Sequence, residues 1–205
     1  VAHVGVLALQ GDVAEHSAML RSAGATPHLI KQAAQLDAVD GLIIPGGEST
    51  TIGKLLRRFE ILEPLRDRIA QGFPVYGTCA GMILLANEIE EPAIDQPSIG
   101  GMDITVRRNA FGRQRESFET DLEVPALGAS PLHAVFIRAP VATRVGSQVE
   151  ALASLEDGRV VAARQGNILV SSFHPELTND DRMHRYFVNL ASGSRPQPVA
   201  ALNQL

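Results

Sequence analysis

The sequence predicts an α/β fold, a single domain on a mixed, mostly parallel sheet flanked by helices. Three observations predict it. Short apolar runs alternate with helix-length amphipathic stretches through the first half, the pattern of a doubly wound sheet. Glycine-rich segments follow several of those runs, where loops gather at the carboxyl edge of parallel strands. The second half turns to short, closely spaced strand-like runs with hairpin signals, which adds antiparallel pairing.

Residues 4–9 form an apolar run ending in Gln10-Gly11, as expected of a strand buried on both faces. Asp12 precedes Glu15 by three residues in the manner of a capping box, and Val13, Ser17, Leu20 and Gly24 bracket a helix that stops at the glycine. Residues 26–30 and 41–44 read as strands, and 74–76 as another that runs directly into Gly77-Thr78-Cys79. Helices are expected over about 50–59, 64–70 and 82–87. Residues 103–107, 117–124, 135–137, 149–155, 160–165 and 168–172 are strand-like, with turns at Gly158 and Gly166-Asn167, where positive φ is tolerated. A last helix spans about 180–190. The domain is thus expected over 1–191, with 192–205, containing Pro196 and Pro198, as a mobile tail.

The net charge of -5 over 205 residues is spread along the chain with no basic run, which argues against a nucleic-acid partner. The apolar runs are too short to span a bilayer, and Asp12 and Glu15 fall where a signal peptide would be apolar, so a soluble cytoplasmic protein is expected. The single cysteine allows no internal disulfide and no four-thiolate zinc site. It is either a buried structural thiol or a reactive one.

Gly77-Thr78-Cys79-Ala80-Gly81 lies between a strand and a helix, the nucleophile-elbow pattern with cysteine in the serine position. The glycines two residues to either side leave room for crossing backbone, and a helix amino terminus favours thiolate. An inert cysteine under a glycine-rich bend is the alternative. Phe173-His174-Pro175-Glu176 ends the last strand, so His174 could take the thiol proton and Glu176 hold the imidazole tautomer; a plain surface turn is the bland reading. His3, His16, His28 and His133 read as surface or core residues, and His184 as a spare. Ile44-Pro45-Gly46-Gly47-Glu48-Ser49-Thr50 ends another strand. Its amides, with that of Ala80, could form an oxyanion hole, and Ser49 or Thr50 could cap the next helix. No Gly-Lys-Ser/Thr follows, so a phosphate loop is disfavoured. Arg107, Arg108 and Arg113, and Arg138 within residues 136–140, offer a clamp for a substrate carboxylate, with solvated loop arginines as the alternative.

Together these segments resemble the class I (triad-type) glutamine amidotransferases, with their flavodoxin-like sheet. More narrowly, residues 5–11, 45–51, 77–81, 108–114 with 117–119, 136–140 and 172–178 are similar to the glutaminase subunits of pyridoxal 5'-phosphate synthase. The resemblance covers nearly the whole chain except the tail. It implies Cys79 as nucleophile, His174 and Glu176 as its partners, and a glutamine pocket of Gly47, Glu48, Ser49, Arg108, Ile137 and Arg138. It further implies an oxyanion hole at Gly47 and Ala80 that involves the Gly46 peptide, and Gln10 as a strand-end residue coupled to the partner. That partner is a (β/α)8 synthase in a large hetero-oligomer, which receives ammonia and combines it with ribose 5-phosphate and glyceraldehyde 3-phosphate. No metal or coenzyme is implied. The glutaminase of imidazole glycerol phosphate synthase, a cysteine peptidase or esterase, and a silent synthase-binding module remain as alternatives.

Overall fold

The computed structural model describes residues 1–112 and 117–193; Arg113, Gln114 and the tail from 194 lie outside them. Along the chain run β1 (His3–Leu7), α1 (Val13–Ser22), β2 (Thr26–Ile30), β3 (Gly41–Ile44), α2 (Ser49–Arg58), α3 (Leu62–Ala70), β4 (Val75–Thr78), α4 (Ala80–Leu85) and β5 (Ala86–Glu90). Strands then dominate: β6 (Met102–Arg107), β7 (Ser117–Leu122), β8 (Leu132–Ile137), β9 (Val141–Val145), β10 (Glu150–Ser154), β11 (Val160–Gln165) and β12 (Ile168–Ser171), before α5 (Arg182–Ala191).

The main sheet has ten strands in the order β2-β1-β3-β4-β12-β11-β9-β6-β5, with β10 paired to β11. From β2 to β12 every pairing is parallel. Antiparallel pairing starts at β12-β11 and continues through β11-β9 and β9-β6, whereas β5-β6 is again parallel. The mixed sheet expected from the sequence is therefore present, and the turns at Gly158 and Gly166 have φ of 84° and 57°.

Side-chain alternation along the central strands divides the core between the two faces of the sheet. Val4, Val6, Tyr76 and Leu169 face a cluster built with Leu20, Met183 and Phe187 of α1 and α5. Leu7, Leu42, Ile44, Val75 and Val170 face the opposite cluster, with Ile52, Leu65 and Leu84 of the other helices. Strands β3 and β4 are buried at every residue, which is why they read as unbroken apolar runs rather than alternating ones. The β7-β8 hairpin stands apart from the main sheet. It is fastened by aromatic rings: Phe118 stacks on Phe136 at 4.5 Å between centroids, and Phe136 meets Phe173 edge-on at 5.7 Å.

Two differences from the sequence reading concern strands in the antiparallel half of the sheet and at its far edge. The helix expected over 82–87 ends at Leu85, and residues 86–90 leave it as β5; β9 was not anticipated either. Ala86–Glu90 carries little strand signature of its own, whereas Val141–Val145 has three β-branched residues in five that the sequence reading passed over. Cross-strand polar pairs supply what propensity lacks: Thr105 donates to Glu88 at 2.9 Å, Arg107 to Glu90 at 2.7 Å and Thr143 to Glu90 at 2.5 Å.

Candidate active site

Cys79 links β4 to α4 with φ 48° and ψ -100°, a conformation that costs an L-residue on the order of 1–3 kcal/mol. The surrounding sheet imposes it. β4 is held between β3 and β12, and the Cys79 amide donates to the Ser171 carbonyl at 2.8 Å. The expected role of the flanking glycines is met in atomic terms. A Cβ on Gly77 would lie 2.5 Å from the Gly81 carbonyl, and one on Gly81 would lie 2.3 Å from the Ile44 carbonyl oxygen. The cysteine is 7% exposed, and its Sγ lies 3.8 Å from the Ile137 carbonyl oxygen at the end of β8.

His174 and Glu176 follow β12 at the same sheet edge. The His174 amide donates to the Val135 carbonyl at 2.8 Å, tying this segment to the hairpin, and His174 Nδ1 lies 2.7 Å from Glu176 Oε1. Burial disfavours charge on His174, but hydrogen bonding to Cys79 and to Glu176 outweighs it and raises the imidazole pKa to about 10. Burial raises the Glu176 pKa, opposed by its bond to His174. The structure thus gathers Cys79, His174 and Glu176 into one connected, mostly buried set.

Gly46 and Gly47 pass directly above this set. A Cβ on Gly46 would lie 2.5 Å from His174 Cε1, and one on Gly11 only 1.8 Å from the Gly46 carbonyl oxygen, so both positions require glycine. Gln10 Oε1 accepts from the Glu48 amide at 3.0 Å, which braces the loop from β1. The cap of α2 corrects the sequence reading. Neither Ser49 nor Thr50 caps it; the Glu48 carboxylate accepts from the Thr50 and Thr51 amides at 3.0 and 2.8 Å. Burial opposes the Glu48 charge, yet the bonds from Thr51 and Thr50 hold its pKa below the usual range, and Arg108 Nη2 stands 3.6 Å away. Ser49 is buried at 2% exposure, while Arg138, next to Ile137, is exposed and has φ 46°. Gln10, Gly47, Glu48 and Arg108 are linked by contacts, and Ile137, which precedes Arg138, borders the sulfur through its carbonyl.

Asp12 and His16 were not recognised from sequence, and His184 stood only as a spare. Asp12 stands at the start of α1 but makes no capping bond; its Oδ2 lies 3.4 Å from His174 Nδ1 instead. Four residues on, one helical turn along the same face, His16 is fully buried with Nε2 3.1 Å from Thr78 Oγ1 and 3.6 Å from Glu176 Oε2. His184 of α5 meets His16 at 2.9 Å. The available signal was position: His16 falls on the stripe of Val13, Ser17 and Leu20 that the helix turns inward. Among the described residues, Asp12, His174 and Glu176 also have the spacing of a metal site, with ligand atoms within 4.8 Å of one another. His174 Nδ1, however, is already engaged by Glu176 Oε1.

These environments set a pH dependence of stability. Burial lowers the pKa of His16 well below 6.5 and that of His184 to about 4, so the unfolded chain binds those protons first as pH falls. Their contribution is complete above pH 6.5 and is lost as pH drops toward 4. His174, raised to about 10, behaves oppositely: its contribution is complete below pH 6.5 and is lost as pH rises toward 10. The urea midpoint is expected to peak near neutrality, with each unbalanced proton contributing a slope of up to about 1.4 kcal/mol per pH unit. An alkaline fall that persists unchanged in His174→Gln would assign that limb to another group.

The SNO glutamine amidotransferase family matches residues 6–192. A Herpetosiphon aurantiacus protein named pyridoxal 5'-phosphate synthase subunit PdxT is 61% identical over 188 residues, 91% of this chain and 99% of that protein. A crystal structure described as a glutamine amidotransferase superposes with a TM-score of 0.86 at 52% identity, covering 92% of this chain and 98% of the other. PurLQS from Thermotoga maritima, at 15% identity with a TM-score of 0.68 over 91% of this chain and 97% of that one, shares the fold.

Proposed function

The chain belongs to the SNO glutamine amidotransferase family, and from that premise we propose that it is the glutaminase subunit of a pyridoxal 5'-phosphate synthase, with Cys79 as nucleophile. The observation that carries the reading is near full-length identity of 61% to a subunit of that name. No helix among the described residues is long and apolar enough to cross a membrane, in keeping with work alongside a cytoplasmic synthase.

The chemistry follows from the side chains. Glutamine enters with its α-carboxylate toward Arg108 and Arg138 and its side-chain amide over the sulfur. The Cys79 thiolate attacks the amide carbon, and the oxyanion is stabilised by the Gly47 and Ala80 amides, each such donor worth about 3 kcal/mol in the transition state. Protonated His174 delivers its proton to the departing nitrogen, so ammonia leaves and a thioester remains. Neutral His174 then takes a proton from water, whose oxygen attacks the thioester carbon; glutamate departs and the thiolate returns. Glu176 keeps the imidazole turned for both transfers.

Ammonia released into neutral water is mostly protonated and loses its nucleophilicity, so delivery to a (β/α)8 synthase subunit in a closed assembly is the economical route to the ring nitrogen. The Gly46-Gly47 peptide, braced through Glu48 by Gln10, is the element that docking would turn to complete the oxyanion hole. Glutamate release by the purified chain is expected to be slow alone and accelerated by the synthase subunit. Full activity without partner would overturn the docking step, and acceleration by an imidazole glycerol phosphate synthase subunit instead would reassign the partner.

A further inference from the structure

Behind Glu176, on the side away from His174, lies a pair of histidines for which the triad chemistry has no use. His16 and His184 are fully buried, on α1 and α5. His16 Nδ1 lies 2.9 Å from His184 Nε2, and His16 Nε2 lies 3.1 Å from Thr78 Oγ1 and 3.6 Å from Glu176 Oε2. Among the described residues, Glu176 Oε2 and His184 Nδ1 are buried without a hydrogen-bond partner.

Burial keeps both rings neutral, so each carries one proton and only two arrangements connect them. If His16 is protonated on Nδ1 and donates to His184 Nε2, the His184 proton sits on Nδ1 with no acceptor. Glu176 Oε2 then faces a bare ring nitrogen. If His184 donates from Nε2 to His16 Nδ1, the His16 proton sits on Nε2, directed at Thr78 Oγ1 and Glu176 Oε2. In both arrangements Glu176 Oε2 lacks a full hydrogen bond, but the second turns an N–H toward it at 3.6 Å and leaves only an orphan acceptor at His184 Nδ1, whereas the first leaves a buried N–H there unmatched and a bare ring nitrogen facing the carboxylate, the buried N–H alone costing about 1–3 kcal/mol.

We propose that His16, protonated on Nε2 and fixed by His184, is a positioning residue that holds the second oxygen of Glu176, extending the reacting set to His184, His16, Glu176, His174 and Cys79. With Oε1 bonded to His174 and the His16 N–H facing Oε2 from 3.6 Å, rotation of the carboxylate is disfavoured, which keeps the imidazole plane in place for both proton transfers. Thr78 shares the same donor and immediately precedes Cys79, so one ring braces the acid and the elbow together. The inference rests on the reading of Cys79, His174 and Glu176 as the reacting residues.

The test compares wild type, His16→Leu and His16→Gln in glutamate release with the synthase subunit present. Gln can place an amide N–H near the Nε2 position; Leu cannot. His16→Leu is expected to lower kcat roughly 10–100-fold with KM unchanged, the range seen when an outer partner of an oriented histidine is removed, and His16→Gln to recover part of it. A folded His16→Leu with wild-type kcat overturns the proposal. Independently of activity, long-range 1H–15N correlation spectra of the histidine-labelled full chain should show His16 as the Nε2–H tautomer. An Nδ1–H or doubly protonated ring overturns it too, even if no His16 variant folds. A wild type that shows this tautomer but releases no glutamate would remove the functional reading and, with it, the role assigned to the pair.

Discussion

Cys79→Ala is expected to lower partner-stimulated glutamate release by at least about 10⁴-fold while leaving the fold intact, because no other group near the substrate can form the thioester. The chain contains no second cysteine to take over. The elbow also separates function from stability. Alanine at 79 keeps the φ of 48° and its strain, whereas Cys79→Gly removes the Cβ that makes this backbone costly. The glycine variant should be equally inactive yet about 1 kcal/mol more stable than the alanine one, with glycine's greater unfolded-state freedom offsetting part of the relief. Steady-state assays and urea unfolding of both variants check the pair of outcomes. Residual turnover near the wild-type rate in Cys79→Ala would dismiss the covalent mechanism.

Glu176→Gln comes second, with an expected loss in kcat of about 10³–10⁴-fold. The substitution preserves size, so the effect isolates hydrogen-bond direction. If the new amide oxygen faces His174 Nδ1, the amide NH2 faces His16 Nε2, and two donors collide in a buried space. If the amide is reversed, its NH2 donates to His174 Nδ1, which forces the proton onto Nε2, where the ring can no longer accept from the thiol. Neither orientation restores the native pattern. KM should change little, since Glu176 is 5% exposed and lies behind His174 rather than against the substrate. A variant within about tenfold of wild-type kcat would show that His174 is oriented without the carboxylate.

The parts of the molecule visible in the sequence were those with a local physical cause. Buried parallel strands such as Gly41–Ile44 need continuous apolar residues, Gly77 and Gly81 have no room for a Cβ, and the loop from His174 to Glu176 leaves the end of a strand. What escaped depended on contacts distant in sequence. Ala86–Glu90 is a strand because β6 lies beside it, not because its residues favour one. Asp12 has the identity of a helix cap, but His174, far along the chain, draws its carboxylate away. Glu48 takes the capping role expected of Ser49 or Thr50, because its longer side chain folds back on Thr50 and Thr51 while Ser49 is buried. His16 and His184 lie 168 residues apart in sequence, and only packing of α1 against α5 brings them into hydrogen-bond range.

The position of β12 between β4 and β11 has a consequence for the order in which the enzyme can come into being. A polypeptide emerging from the ribosome presents Cys79 early, but the strand that supports its strained backbone through Ser171 arrives about ninety residues later, followed at once by His174 and Glu176. Until then the elbow has a sheet neighbour on one side only, and the thiol has no imidazole beside it. Nascent chains and fragments truncated before residue 176 therefore carry the proposed nucleophile without the residues proposed to arm it. On the proposed mechanism, hydrolysis begins only when the sheet closes around β4, and the topology then acts as a safeguard against glutamine being consumed by incomplete chains.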